Sequence, residues 1–87
     1  QIQITGDEIR LYPNPIKAGE EIKLYIDSQK ENNKVEITIT DLSGKTKTIS
    51  AIGNSVKFTL SDTPGSYIVK IITQEGISRE IKVICIP

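Results

Sequence analysis

The chain has 87 residues, 37% of them hydrophobic and 25% charged, and its eleven basic residues balance eleven acidic ones. This length allows a single domain with a thin core, and the composition excludes wholesale disorder. The zero net charge and the scattered lysines create no field that would attract nucleic acid or an anionic membrane, so neither is an expected partner.

Apolar residues alternate with polar ones along most of the chain, which predicts β-strands rather than helices. Residues 1–7 are interpreted as a linker end or a short added strand, and residues 8–87 as one domain. Pro13 and Pro15 lack backbone donors, so their segment is expected to form an edge that leaves its sheet. About seven strands are predicted, at 8–12, 20–28, 34–41, 46–51, 55–60, 66–73 and 78–85.

The alternation also predicts which side of each strand faces the core. The strand at 66–73 is apolar on both sides at several points, which is typical of a central strand. In the last strand one face carries Ile81, Val83 and Cys85, while Ile84 and Ile86 point to the other. Because Cys85 is the only cysteine, no internal disulfide can form, and we expect its thiol to be buried filler.

Turn residues separate the strands. The segment Asp41–Lys45 predicts a type I turn closed by Gly44 in the left-handed conformation. Tyr67 is expected to pack its ring while its hydroxyl finds a partner at a sandwich corner. Short strands separated by such turns predict an all-β, immunoglobulin-like, two-sheet antiparallel β-sandwich, although the cysteine and tryptophan signature of antibody domains is absent.

The residue inventory contains no recognisable catalytic arrangement; serine paired with lysine stays open as a nucleophile set, but no such pair has a recognisable spacing. The chain has no histidine, which excludes histidine-based triads and removes the commonest zinc ligand. Gly44-Lys45-Thr46 copies the end of a phosphate-binding loop, but Ile39 stands where that pattern requires glycine. Asp27, Asp41 and Asp62 are interpreted as turn residues at strand ends rather than calcium ligands. We therefore expect no catalytic residue, no metal site and no cofactor.

Four motifs in this order resemble those of a known family. Tyr12-Pro13-Asn14-Pro15 comes first, the Asp41–Lys45 turn second, Pro64-Gly65-Ser66-Tyr67 third, and Lys82 among apolar residues last. Over about Leu11 to Ile84 the chain thus resembles the type A C-terminal sorting domain of type IX (Por) secretion cargo. The resemblance implies that recognition involves Pro13, Asn14, Pro15, Asp41, Gly44, Lys45, Pro64, Gly65, Tyr67 and Lys82.

The same resemblance implies a non-catalytic sorting signal at the end of a cargo precursor. It implies binding to the secretion translocon and passage through the periplasm and outer membrane of a Gram-negative bacterium. Removal by a sortase-like peptidase would leave the cargo at the outer-membrane surface or in the medium. We expect the segment 64–87 to be recognised, with addition of the terminal strand to a partner's sheet as one route. A weak homodimer through an edge strand is a further expectation.

Two other functions stay open on the residues alone. The chain could be a structural immunoglobulin-like spacer or interaction module of a multidomain surface protein. It could also be a carbohydrate-binding accessory module, a class that usually presents exposed aromatic rings. Phe58 is in phase with the core, so Tyr25, on the polar face with Lys23 and Asp27, is the one plausible platform residue.

Overall fold

Strands form the regular structure of the described residues, which are 8–27, 34–74 and 76–87 of a computed structural model. The predicted linker or strand at 1–7 lies outside these residues. No helix in the described part of the chain is long and apolar enough to cross a membrane. The strands are β1 (Glu8–Tyr12), β2 (Ile16–Lys17), β3 (Glu21–Asp27), β4 (Lys34–Asp41), β5 (Thr46–Ile52), β6 (Ser55–Thr59), β7 (Gly65–Thr73) and β8 (Ser78–Ile86).

These strands form two sheets, and the predicted all-β, immunoglobulin-like sandwich is confirmed. The three-stranded sheet has the order β1-β3-β6, and the five-stranded sheet has the order β2-β8-β7-β4-β5. β7 lies at the centre of the larger sheet, as its two apolar faces predict. All strand pairs are antiparallel except β2 with β8, which is parallel.

β2 is the one described strand that the alternation pattern missed. It has two residues, with Ile16 opposite Cys85 and Lys17 opposite Ile86, and two residues are too few to show a period of two. The expectation for the proline segment is confirmed, because β1 is an edge of one sheet and β2 an edge of the other. The chain changes sheets between them, through Pro13 and Pro15, and both X–Pro peptide bonds are cis.

The core lies between the inner faces of the two sheets, where the alternation places it. Cys85 belongs to this core, and burial raises the pKa of its thiol, with the Asp62 carboxylate adding to the effect. The thiol is therefore protonated at neutral pH and serves as apolar filler, as predicted. The buried apolar side chains are Ile16, Ile22, Leu24, Ile26, Val35, Ile37, Ile39, Phe58, Leu60, Tyr67, Val69, Ile71, Val83 and Cys85.

Candidate recognition site

The side chain of Asn14 links the proline segment to the last strand. Its Nδ2 donates a hydrogen bond to the Lys82 carbonyl at 3.0 Å, and its Oδ1 accepts one from the Ile84 backbone N–H at 3.1 Å. A side-chain amide has the same kinds of donor and acceptor as a peptide group. Asn14 therefore forms hydrogen bonds with the backbone of β8 as a neighbouring strand would. Pro13 and Pro15 flank it and carry no backbone N–H that would compete for these positions.

The strand β2 continues the same edge toward the end of β8. Beyond the pairing of β2, the Ala18 N–H donates to the Ile86 carbonyl at 2.8 Å. The outer edge of β8 from Lys82 to Ile86 is therefore already hydrogen-bonded. Addition of this half of β8 to a partner's sheet requires Asn14 and β2 to leave first.

Asp41 organises the turn between β4 and β5. One carboxylate oxygen, Oδ1, accepts hydrogen bonds from the Ser43 N–H at 2.9 Å, the Ser43 hydroxyl at 2.7 Å and the Lys45 N–H at 3.0 Å. The hydroxyl bond, with smaller contributions from these amides and the Lys45 charge, holds the pKa of Asp41 below its usual value despite some desolvation. Asp41 therefore stabilises the turn as an ionised Asx-type acceptor.

Gly44 closes this turn as predicted. Its φ is +92°, a conformation that costs side-chain-bearing residues, and its N–H donates to the Asp41 carbonyl at 3.1 Å. A Cβ at this position would meet no atom within 4 Å. Glycine is thus required here for backbone conformation and not for space.

Tyr67 forms the corner expected from the sequence. Its ring is buried, and its hydroxyl lies 2.5 Å from the Thr63 carbonyl and 2.8 Å from the Ser61 hydroxyl. A carbonyl can only accept, so the single tyrosine proton goes to Thr63, and Ser61 supplies the proton of the second bond. The Thr63 N–H donates to Ser61 Oγ at 3.0 Å, which closes a small network before β7.

Strand register brings the predicted residues toward one end of the sandwich. Asp41 lies opposite Tyr67, and Gly65 lies opposite Cys85 near the end of β8. Asp41, Lys45 and Tyr67 line a shallow groove of about 340 Å³. Lys82 and the proline segment lie on the other side of β7, joined through Asn14.

The contacts divide the predicted recognition residues into those that stabilise the fold and those whose exposed side chains could contact a partner. Asn14, Asp41, Gly44 and Tyr67 each have a hydrogen bond or a backbone conformation that the fold itself needs. Lys82 is exposed, and its ammonium group has no hydrogen bond or ion pair with any described residue. Pro13, Pro15, Lys45 and Pro64 are also exposed, and Gly65 is exposed but has a φ of +152°, so the fold has a need for glycine there too.

The structure also shows apolar residues that the sequence reasoning did not treat as a site. Ile68, Ile84 and Ile86 are 41%, 39% and 37% exposed on the outer face of the five-stranded sheet. Lys82 lies directly opposite Ile68, so Ile84, two residues along, is the diagonal neighbour of Ile68. The apolar outer positions of β7 and β8 are the sequence signal for this surface, and they also predict that β7 is a central strand.

A second tyrosine accompanies Tyr25 on the three-stranded sheet. Tyr12 and Tyr25 are 47% and 40% exposed. Tyr12 lies opposite Lys23 and Arg10 lies opposite Tyr25, so both rings belong to the outer face. Tyr25 is therefore not the lone exposed ring that the alternation suggested. Tyr12 was missed because its strand is short and ends at a proline.

Fold and site together define a class: a small immunoglobulin-like β-sandwich whose terminal strand is held by a proline-flanked asparagine from the other end of the chain. The model of the family described as secretion system C-terminal sorting domain matches residues 10–86, and this chain belongs to that family. Comparison with curated proteins gave no match. The family is that of type IX secretion sorting signals, which direct export across the outer membrane of Gram-negative bacteria. The spacer and carbohydrate-binding alternatives are not favoured by this finding.

Proposed function

We propose that this domain is a detachable, non-catalytic sorting signal, and that the type IX translocon binds it in its folded state. The observation that carries the proposal is the clamp between Asn14 and β8, which joins the first family motif to the terminal strand. Asn14 holds this strand in place, and Lys82 is exposed to solvent on it. Recognition then falls on the 64–87 segment.

The domain is also proposed to be removed after export. A sortase-like peptidase cleaves it from the cargo once the precursor has passed through the periplasm and the outer membrane. The cargo then stays at the outer-membrane surface, in many cases attached to lipopolysaccharide, or enters the medium. The domain acts as substrate and bound partner in these steps and performs no chemistry itself.

The sorting proposal is tested by fusing residues 1–87 to the C-terminus of a periplasmic reporter in a host with the type IX apparatus. We expect the reporter at the surface or in the medium, shortened by the mass of the domain, and only while the apparatus is intact. A folded fusion that stays in the periplasm would refute the sorting role. An exported reporter that keeps its full mass would refute removal of the domain and leave sorting standing.

Lys82 is the residue whose contact with the translocon can be tested most directly. Its side chain has no structural contact among the described residues, so Lys82→Ala should leave the folded state intact. We expect export of the fusion to fall if the ammonium group is contacted by the translocon. Lys57→Ala, an exposed lysine on the three-stranded sheet, is the matched control. Normal export with Lys82→Ala would move recognition to the apolar positions of the same strand.

An edge-strand homodimer of the free domain is the remaining proposal on partners, and β5 is the unpaired edge of the five-stranded sheet where it would form. No described strand pairs with its outer side over Thr46–Ile52. Lys47 lies opposite the buried Ile39 and so shares the core-facing side, where a charge discourages strand addition. Self-association is therefore expected to be weak. Sedimentation at rising concentration measures it, and Lys47→Thr should strengthen it.

A further inference from the structure

The outer face of β7 and β8 carries a contiguous apolar surface with a cationic border. We define the isoleucine surface as Ile68, Ile84 and Ile86. The three residues are adjacent through the diagonal of β7 and β8 and through the two-residue spacing along β8. They do not belong to the core between the sheets, so the exposed part of their apolar area is not used in that core.

Two lysines border the isoleucine surface. Lys17 is the register partner of Ile86 in β2, and Lys82 is the register partner of Ile68. The next lysine on this face, Lys70, lies directly opposite Glu80, so its charge is balanced within the sheet. Glu80, the diagonal neighbour of Ile68 on the side of Lys82 away from Ile84, is the partner of Lys70, so Lys17 and Lys82 give the border of the surface a net positive charge.

The border charges decide between possible occupants. If a second copy of this chain packed against the same face, Lys17 and Lys82 would lie close to the same lysines of that copy. The repulsion between these like charges opposes association. The backbone edge beside the surface is already occupied by Asn14 and β2, so an incoming segment meets side chains and not free N–H or C=O groups. The occupant that fits is an apolar protein segment that carries carboxylates.

We propose that the isoleucine surface docks such a segment of the export apparatus, with Lys17 and Lys82 pairing with its carboxylates. The inference rests on the proposed sorting function and names the surface and partner chemistry through which it acts. Apolar burial supplies the affinity, and the lysines select acidic partners and fix orientation. Asn14 and β2 have a positioning role, because their hydrogen bonds hold β8 within the sheet and so keep its isoleucines beside Ile68.

The test compares export of reporter fusions that carry matched substitutions. Ile68→Thr and Ile84→Thr keep a β-branched residue in each strand, so the sheet should persist while the apolar surface is lost. We expect the exported fraction to fall about tenfold for each substitution, the effect of losing one buried isoleucine contact. Ile52→Thr is the control, since Ile52 is 65% exposed but lies on β5, away from the surface. Circular dichroism of the purified domains checks that each variant is folded.

The outcomes separate this inference from the sorting proposal. Export of the unaltered fusion that is lost with Ile68→Thr and Ile84→Thr but kept with Ile52→Thr supports both. Equal export of all four fusions overturns the docking surface and leaves the sorting function intact. Retention of the unaltered fusion in the periplasm overturns the sorting function, and the inference with it.

Charge reversal tests the proposed pairing of Lys17 and Lys82 with carboxylates of the partner. The double variant Lys17→Glu/Lys82→Glu should lose export, while Lys34→Glu/Lys57→Glu, with the same net charge, should keep it. Equal loss in both overturns the proposed pairing.

Sedimentation of the purified domain with phosphatidylglycerol vesicles tests the competing lipid partner. Vesicle binding that depends on Lys17 and Lys82 would overturn the protein partner, and absence of vesicle binding supports it.

Discussion

The side chain of Asn14 replaces a neighbouring strand for Lys82, with its Nδ2 donating to the Lys82 carbonyl at 3.0 Å across 68 residues of sequence. The same amide accepts from Ile84, so one side chain holds two peptide groups of β8. The first motif of the chain is therefore a structural part of its last strand. A change at Asn14 is expected to act on β8 even though the two lie far apart in sequence.

Asn14→Ala is predicted to loosen β8 selectively. Each lost hydrogen bond is worth about 0.5–1.5 kcal/mol, so the free energy of unfolding should fall by about 1–3 kcal/mol in urea denaturation. Hydrogen exchange of the Ile84 amide should accelerate, because its acceptor is gone. The Val69 amide in the centre of the same sheet is the internal control. Unchanged exchange at Ile84 would contradict the clamp.

Tyr67→Phe is predicted to destabilise the corner without disturbing the core. The ring remains, but the Thr63 carbonyl loses the tyrosine proton, and the Ser61 hydroxyl keeps only its bond from the Thr63 N–H. We expect a loss of about 1–3 kcal/mol in the free energy of unfolding. Tyr25→Phe is the matched control, since its hydroxyl has no hydrogen bond to any described residue. Equal stability of the two variants would show that the corner network contributes nothing.

Gly44→Ala is predicted to strain the β4–β5 turn. The methyl group meets no neighbour, so the cost of about 1–2 kcal/mol comes from the positive φ alone. Gly44→Asn should cost less, because asparagine tolerates the left-handed region better than alanine does. Thermal unfolding of both variants measures the difference. The same stability for both would argue that the turn adopts another conformation when substituted.

The pKa of Asp41 gives the domain an acid-sensitive turn. Because the pKa is lowered in the folded state, ionised Asp41 stabilises the fold above its ordinary pKa. That contribution is lost as the pH falls from about 4 through the lower folded-state pKa. The stability difference between the natural protein and Asp41→Asn should therefore shrink below about pH 4 in urea denaturation. A difference that is constant down to pH 2 would contradict this assignment.

The thiol of Cys85 is predicted to be inert in the folded domain. Burial, with Asp62 adding to it, raises its pKa, so little thiolate is present at neutral pH. Reaction with a disulfide reagent such as Ellman's should be slow in buffer and fast in denaturing urea. Equal rates in the two conditions would place the thiol at the surface.

The sequence by itself determined the strands, their inner and outer faces, and the turn chemistry. These are local properties: alternation assigns Ile37 and Val83 to the core, and the need for positive φ assigns glycine to position 44. The same alternation could not reveal β2, since two residues carry no period.

Only the tertiary structure decided which distant residues meet. The register of β7 with β8 makes Ile68 the diagonal neighbour of Ile84, and the change of sheet after β1 brings Asn14 to the backbone of β8. Nothing in the local pattern of either segment specifies its partner. Pairing between separate strands depends on how both sheets close over one core, so the proposed recognition surface forms only when the fold is complete.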